Sequence, residues 1–96
     1  MQIILNHNLS FFTMDISDVK NGVESIFRNV FPEINDTKFN WDDTPTEYEN
    51  WDSFAHLRLV SQIEKKFGIQ LDLDDAINLN SASDFLKLTQ NTLNSS

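Results

Sequence analysis

A serine that follows an aspartate and precedes an apolar residue is the feature of the sequence most suggestive of chemistry. Asp52, Ser53 and Phe54 stand at the start of a stretch whose apolar residues recur with a helical period. Aspartate is a favoured N-cap, so we predict that Ser53 takes the first helical position with its hydroxyl at the solvent edge. A phosphodiester on that oxygen would lie beside free amides and the positive end of the helix dipole. The pattern therefore predicts a serine suited to carrying a phosphate, although a plain N-cap would look the same.

The helix that follows this serine resembles the second helix of acyl carrier proteins. The resemblance runs along the stretch that begins at Trp51 and ends with Phe67, Gly68 and Ile69. It covers about residues 15–93, and its specific part is about residues 52–69. In that family the serine after the aspartate carries 4'-phosphopantetheine.

This resemblance implies a function and roles for particular residues. A phosphopantetheinyl transferase would use coenzyme A and magnesium to join the arm to Ser53, and acyl groups would be carried on it as thioesters. Asp52 and Phe54 would sit beside the arm, with Leu57 and Glu64 on the side of the helix that docks partner enzymes. The chain itself would be no enzyme and would bind no metal. Its partners would be the transferase and enzymes that activate or transfer acyl groups.

Several residues depart from the housekeeping fatty-acid carriers. Those carriers usually have Gly before Asp-Ser-Leu and an acid-rich second helix, whereas this chain has Trp51, Phe54, Arg58, Lys65 and Lys66. We therefore expect a specialised carrier for polyketide, lipid or surface-glycan acylation. Peptidyl carriers usually show Gly-Gly-x-Ser, which is missing. The alternative from another class is an unmodified helical adaptor that binds a protein partner through its exposed apolar residues, Phe54 and Leu57.

Ahead of the serine the sequence predicts a core-facing helix and then a long loop. Asp15 is placed to cap this helix, which ends before Pro32. Its apolar positions follow the i, i+3, i+4, i+7 rule and are Ile16, Val19, Val23, Ile26, Phe27 and Val30. No such period appears from Pro32 to Trp51, and a connection this long needs to be pinned. The expected pins are Phe39, Trp41, Tyr48 and Trp51.

The helix from Ser53 to Phe67 is predicted to have two faces. At about 100° per residue, one arc collects the core-facing positions Leu59, Val60, Ile63 and Phe67. Phe54 and Leu57 fall outside that arc, on the solvent side. We expect their side chains to contribute more to docking of partners than to the stability of the domain. Gly68 fits the position just after a helix end, where a left-handed conformation is needed.

Two further helices complete the prediction. Leu73, Ala76 and Ile77 predict a short third helix within residues 72–78, and Ser81 with Asp84 resembles a capping box that opens a final helix. The apolar residues of that last helix are Phe85, Leu86, Leu88 and Leu93. The sequence thus predicts an all-α, acyl-carrier-protein-like four-helix bundle with a long first loop and a short third helix.

The composition limits the remaining possibilities. The 96 residues have room for one domain and little room for a buried active site. A formal net charge of -8 argues against nucleic acid and suits basic protein partners. No cysteine is present, and no apolar run approaches the roughly 20 residues that cross a bilayer. We assign residues 1–13 to a flexible leader that is a poor signal peptide, and residues 14–94 to a single carrier domain, expected to be a cytoplasmic monomer.

No other pattern indicates catalysis or metal binding. His56 falls in the core arc and is predicted to be a satisfied, partly buried histidine and not a base. Asp72, Asp74 and Asp75 resemble part of a calcium loop that lacks its glycine and glutamate. The two histidines lie far apart without cysteine, so no zinc site is expected. The acids of residues 42–52 form either a solvated loop or a surface that steers partners.

Overall fold

The computed structural model describes residues 16–95, and the side chains of residues 16–94. The helices in this part of the chain are α1 (Ile16–Val30), α2 (Ser53–Phe67), α3 (Leu73–Ala76) and α4 (Ala82–Ser95). The regular structure of residues 16–95 is entirely helical, which confirms the predicted all-α bundle. The leader of residues 1–13 and the Asp15 cap lie outside the described residues.

Helix α1 forms one side of the core. It packs against α2 and α4 through the face that the sequence predicted, and its buried apolar residues are Val19, Val23, Ile26, Phe27 and Val30. Ile16 was predicted to share this face but is exposed. Its angular position on the helix agrees with the buried face, but Ile16 is the first residue of α1 and no described residue covers it there.

A glycine of α1 lies against side chains from the end of α2. Gly22 is buried in α1, and a Cβ at this position would lie 2.7 Å from Cζ of Phe67. The absence of a side chain at Gly22 therefore leaves room for the Phe67 ring against the α1 backbone. The following Gly68 ends α2 in the left-handed conformation, with φ 65° and ψ 37°, as predicted.

The long connection between α1 and α2 is ordered by side chains. It contains two 3-10 turns, Pro32–Ile34 and Pro45–Glu47. All four predicted aromatic pins pack against the core. Arg28 also holds the start of the connection, because its guanidinium donates to the carbonyl oxygens of Ile34, Asn35 and Thr37. A backbone bond of 2.9 Å from Ser83 N to the Trp41 carbonyl joins the loop to α4.

Helix α2 has the two predicted faces. Leu59 and Ile63 are completely buried, whereas Phe54 is 79% and Leu57 58% exposed. We define the outward face of α2 as the exposed residues opposite the buried ones, namely Phe54, Leu57, Arg58, Ser61 and Lys65. Of the predicted core arc, Val60 and Phe67 are only partly buried and pack at the edge of the core.

The third and fourth helices follow the sequence signals with differences. Helix α3 is a single turn capped by the Asp72 carboxylate, and of its apolar residues only Ala76 is buried while Leu73 and Ile77 are exposed. Ser81 Oγ accepts from the amide of Asp84 at 3.1 Å, as in a capping box. The Asp84 carboxylate reaches back to the amide of Asn80.

Candidate functional site

The start of α2 has the predicted cap geometry. Asp52 is extended, with φ -109° and ψ -170°, and its Oδ1 accepts from the amide of Ala55 at 2.9 Å. The Asp52 carbonyl accepts from the amide of His56 at 2.9 Å. Ser53 is the first helical residue and is exposed. Its hydroxyl therefore stands at the solvent edge, as the sequence predicted.

This helix start suits a phosphate on the serine oxygen. The amides of Ser53 and Phe54 donate to no acceptor among the described residues, because Asp52 takes only the amides of Ala55 and His56. Two free N–H groups and the positive end of the α2 dipole therefore lie beside Ser53. The residues present fit a phosphodiester, because these free amides can donate to its oxygen atoms.

A shallow groove runs from Ser53 towards α3 and α4. One wall belongs to α2 and the residues before it, and the other to the segment between α3 and α4. The lining residues are Pro45, Trp51, Asp52, Ser53, His56, Leu57, Ile77, Leu79 and Asn80. The resemblance implied that Asp52 lies beside the arm on Ser53 and Leu57 on the docking side of the helix. Nothing in the sequence indicated the far wall, because that wall comes from a connection more than 20 residues later in the chain.

His56 joins the elements around this groove. Trp51 Nε1 donates to His56 Nδ1 at 3.1 Å, and His56 Nε2 lies 2.7 Å from the Ala76 carbonyl oxygen. Because an indole nitrogen can only donate, Nδ1 is the acceptor and Nε2 carries the hydrogen that it donates to Ala76. Both ring nitrogens are engaged, which confirms the prediction of a satisfied histidine. Its structural role is to tie α2 to α3 and to the loop.

The predicted docking residues differ in solvent exposure. Phe54 and Leu57 are exposed on the outward face, close to Ser53. Glu64 is half-buried, and its Oε2 accepts from the amide of Leu71 at 2.8 Å. The Glu64 carboxylate therefore stabilises the turn after α2, and its role in docking stays a prediction.

The acidic loop before Ser53 contains three groups with shifted pKa values. Burial, followed by repulsion from Glu47 and Asp42, raises the pKa of Asp43. Hydrogen bonds from the backbone N–H and the hydroxyl of Thr44 lower the pKa of Glu47. Burial, and then the negative charge of Asp43, raise the pKa of Tyr48 to about 12. Of these acids, Glu47 thus stabilises the loop through its hydrogen bonds with Thr44.

Between residues 16 and 95, no group of three or more histidine, cysteine, aspartate or glutamate side chains is placed to hold a metal ion. The Asp72 carboxylate instead caps α3 by accepting from the amides of Asp74 and Asp75. None of the helices in the same range has the length and apolar character needed to cross a bilayer.

Comparison with known proteins agrees with this geometry. The family model described as "Phosphopantetheine attachment site" matches residues 23–89, a range that runs from α1 to α4 and includes the capped start of α2. Neither a curated protein nor a solved structure matches the chain. Because the family model covers more than half of its 96 residues, the protein belongs to the phosphopantetheine attachment site family of carrier domains.

Proposed function

We propose that this protein carries acyl intermediates as thioesters on a 4'-phosphopantetheine arm attached to Ser53. The observation that carries the proposal is the exposed hydroxyl at the first position of α2, beside the unpartnered amides of Ser53 and Phe54. In the loading reaction, Ser53 Oγ forms a bond to the phosphorus of coenzyme A that bears the pantetheine. The pyrophosphate bond breaks, adenosine 3',5'-bisphosphate leaves, and the serine proton is lost to a base of the transferase or to water.

The parts of the site have separate roles in this proposal. Asp52 fixes the start of α2, and Phe54 and Leu57 offer apolar contact to enzymes that approach the arm. When bound, the arm supplies the thiol that the cysteine-free chain lacks. The carrier domain comprises residues 14–94, acts as a cytoplasmic monomer and performs no chemistry of its own. The departures of α2 from the housekeeping carriers support a specialised lipid, polyketide or glycan-acylation pathway.

The test is modification of the serine. The wild-type chain is incubated with coenzyme A, Mg²⁺ and a phosphopantetheinyl transferase, and intact mass is measured. We expect one added phosphopantetheine on the wild type and on the Ser61→Ala variant, and none on Ser53→Ala. Ser61 is a matched control because it is an exposed serine on the same helix. Modification of the Ser53→Ala variant would show that the arm is attached elsewhere.

The second candidate function is an unmodified adaptor, and the exposure of Phe54 and Leu57 favours it. These apolar side chains could bind a protein partner whether or not Ser53 is modified. The same experiment separates the two functions. A wild-type chain that stays unmodified with an active transferase, together with a positive-control carrier that is modified, would favour the adaptor.

A further inference from the structure

The outward face of α2 carries two cations whose sign is opposite to that of the protein. Arg58 and Lys65 are both exposed, and at about 100° per residue both lie within roughly 60° of Ser61 at the middle of this face. The outward face contains no acidic residue. In a chain with 15 acidic and 7 basic residues, the outward face of α2 therefore carries charge of the opposite sign to the whole protein.

Neither cation has a partner that explains its position. In the described part of the chain, Arg28 forms an ion pair with Glu24 at 3.0 Å, whereas Arg58 and Lys65 form none. No acid lies three or four residues from either of them along the helix, where helical ion pairs form. The adjacent Glu64 carboxylate is turned to the amide of Leu71.

The helix dipole accounts for only one of these charges. Lys65 lies in the last turn of α2, where a cation is favourable beside the terminal carbonyl groups. Arg58 lies more than two turns before the end of the helix, beyond the range of that effect. The helix dipole therefore gives no account of Arg58 at this position, which leaves its guanidinium free to contact another molecule.

The outward face of α2 begins beside the Ser53 hydroxyl, because Phe54 is the next residue of the helix. Arg58 follows Ser53 by five residues, which is about 7.5 Å along the helix axis, and Lys65 lies about 18 Å away. Phe54 and Leu57 stand between the serine and these charges. The acids of residues 42–52 precede Ser53, so the sign of the charged residues changes at the serine along the chain.

We propose that the transferase that loads Ser53 docks on the outward face of α2 through an apolar pocket bordered by carboxylates that face Arg58 and Lys65. This inference rests on the proposed function and names the partner chemistry of the same site. The overall negative charge attracts a basic enzyme surface from a distance, whereas the local positive patch sets the orientation on contact. A reversed orientation would place the enzyme's carboxylates against the acidic loop and is disfavoured by repulsion.

The test is a charge reversal with a matched control. The full chain is prepared as wild type, as the outward variant Arg58→Glu/Lys65→Glu, and as the control Lys66→Glu/Lys87→Glu. Both variants change the net charge equally. Lys66 lies on α2 but turns towards Gly22 of α1, and Lys87 is exposed on α4, so neither belongs to the outward face.

Initial rates of loading by the transferase from the same genome are measured against carrier concentration, at low and at high salt. For the outward variant we expect KM to rise about tenfold at low salt with kcat little changed, because two attractive contacts become repulsive. The control should change KM much less, and high salt should narrow the difference. Urea midpoints identify any variant that has lost its fold, and Arg58→Gln/Lys65→Gln then replaces the glutamate variant.

The outcomes distinguish this inference from the function on which it rests. If wild type is loaded but the outward variant has an unchanged or lower KM, the carboxylate-bordered pocket is refuted while the carrier function stands. An equal rise in KM for both variants also refutes it, because only the total charge would then matter. If the wild type is not loaded at Ser53, the proposed function fails, and this inference fails with it.

Discussion

Truncating Ile63 should destabilise the domain far more than truncating Leu57, although both lie on α2. Ile63 is completely buried, and alanine removes three of its carbon atoms. Burial of three such carbons contributes about 2.4 kcal/mol, at about 0.8 kcal/mol each. The cavity left behind adds to this loss, so we expect Ile63→Ala to cost about 3–4 kcal/mol. That is a large share of the 5–15 kcal/mol that is roughly typical of a domain.

Leu57→Ala removes the same number of carbon atoms from a residue that is 58% exposed. Less than half of the burial contribution is lost, so we expect the free energy of unfolding to fall by at most about 1 kcal/mol. Its effect should appear in docking. Loss of an apolar anchor at an interface commonly weakens binding by about 1–2 kcal/mol, so KM for loading by the transferase should rise roughly tenfold.

The assay pairs urea unfolding with loading rates measured on folded protein. Ile63→Val is the graded control at the buried position, with an expected loss of about 1 kcal/mol and normal loading. The reasoning about the two faces of α2 would be wrong if Leu57→Ala lowered the urea midpoint as far as Ile63→Ala while loading at the wild-type rate. Docking would then be sought on the acidic loop or on α3.

Tyr48 is the only tyrosine in the chain and burial raises its pKa to about 12, so the folded state favours the neutral phenol. The stability contributed by the neutral phenol should be complete below pH 10, the ordinary pKa, and be lost between pH 10 and about 12. Phenolate absorbance measures the pKa in the folded protein, and urea midpoints of wild type and Tyr48→Phe measure the loss of stability. An ordinary pKa in the folded protein would contradict the prediction. Gly68→Ala should cost about 1–2 kcal/mol because a Cβ is disfavoured in the left-handed region, and Gly68→Asn should cost less; equal urea midpoints for the two variants would argue against this cause. Replacing the exposed Asp42 and Glu49 by their amides should slow loading by the transferase at low salt. The difference from wild type should be smaller at high salt, because exposed charges are screened over roughly 10 Å at 0.1 M. Loading rates equal to wild type at low salt would leave the acids of residues 42–52 as a solvated loop.

The local features of α2 were predictable because they depend on neighbours in the chain. The start at Ser53, the end at Phe67 and the left-handed Gly68 all match the prediction. An aspartate cap is satisfied by amides within the next four residues, and a helix end is set by the glycine that follows it. The exposed positions of Phe54 and Leu57 followed from the helical period alone.

The sequence also determined which residues pin the long loop, but not how they do so. Its four aromatic residues were expected to contact the core because their rings carry large apolar surfaces, and all four do so. The contribution of Arg28 was not foreseen. Its three carbonyl acceptors are six to nine residues further along the chain, and no periodicity relates them to a helical arginine.

The surroundings of Ser53 were not predictable from the sequence, because they depend on tertiary packing. The far wall of the groove and the position of α3 depend on His56, whose acceptor is the carbonyl of Ala76, 20 residues away. That bond needs α2 and α3 to be packed already, so no local pattern predicts it. The sequence determined the serine, its cap and its helix, since these depend on residues within about one helical turn. The tertiary structure determined what the serine faces, because that depends on how separate helices meet.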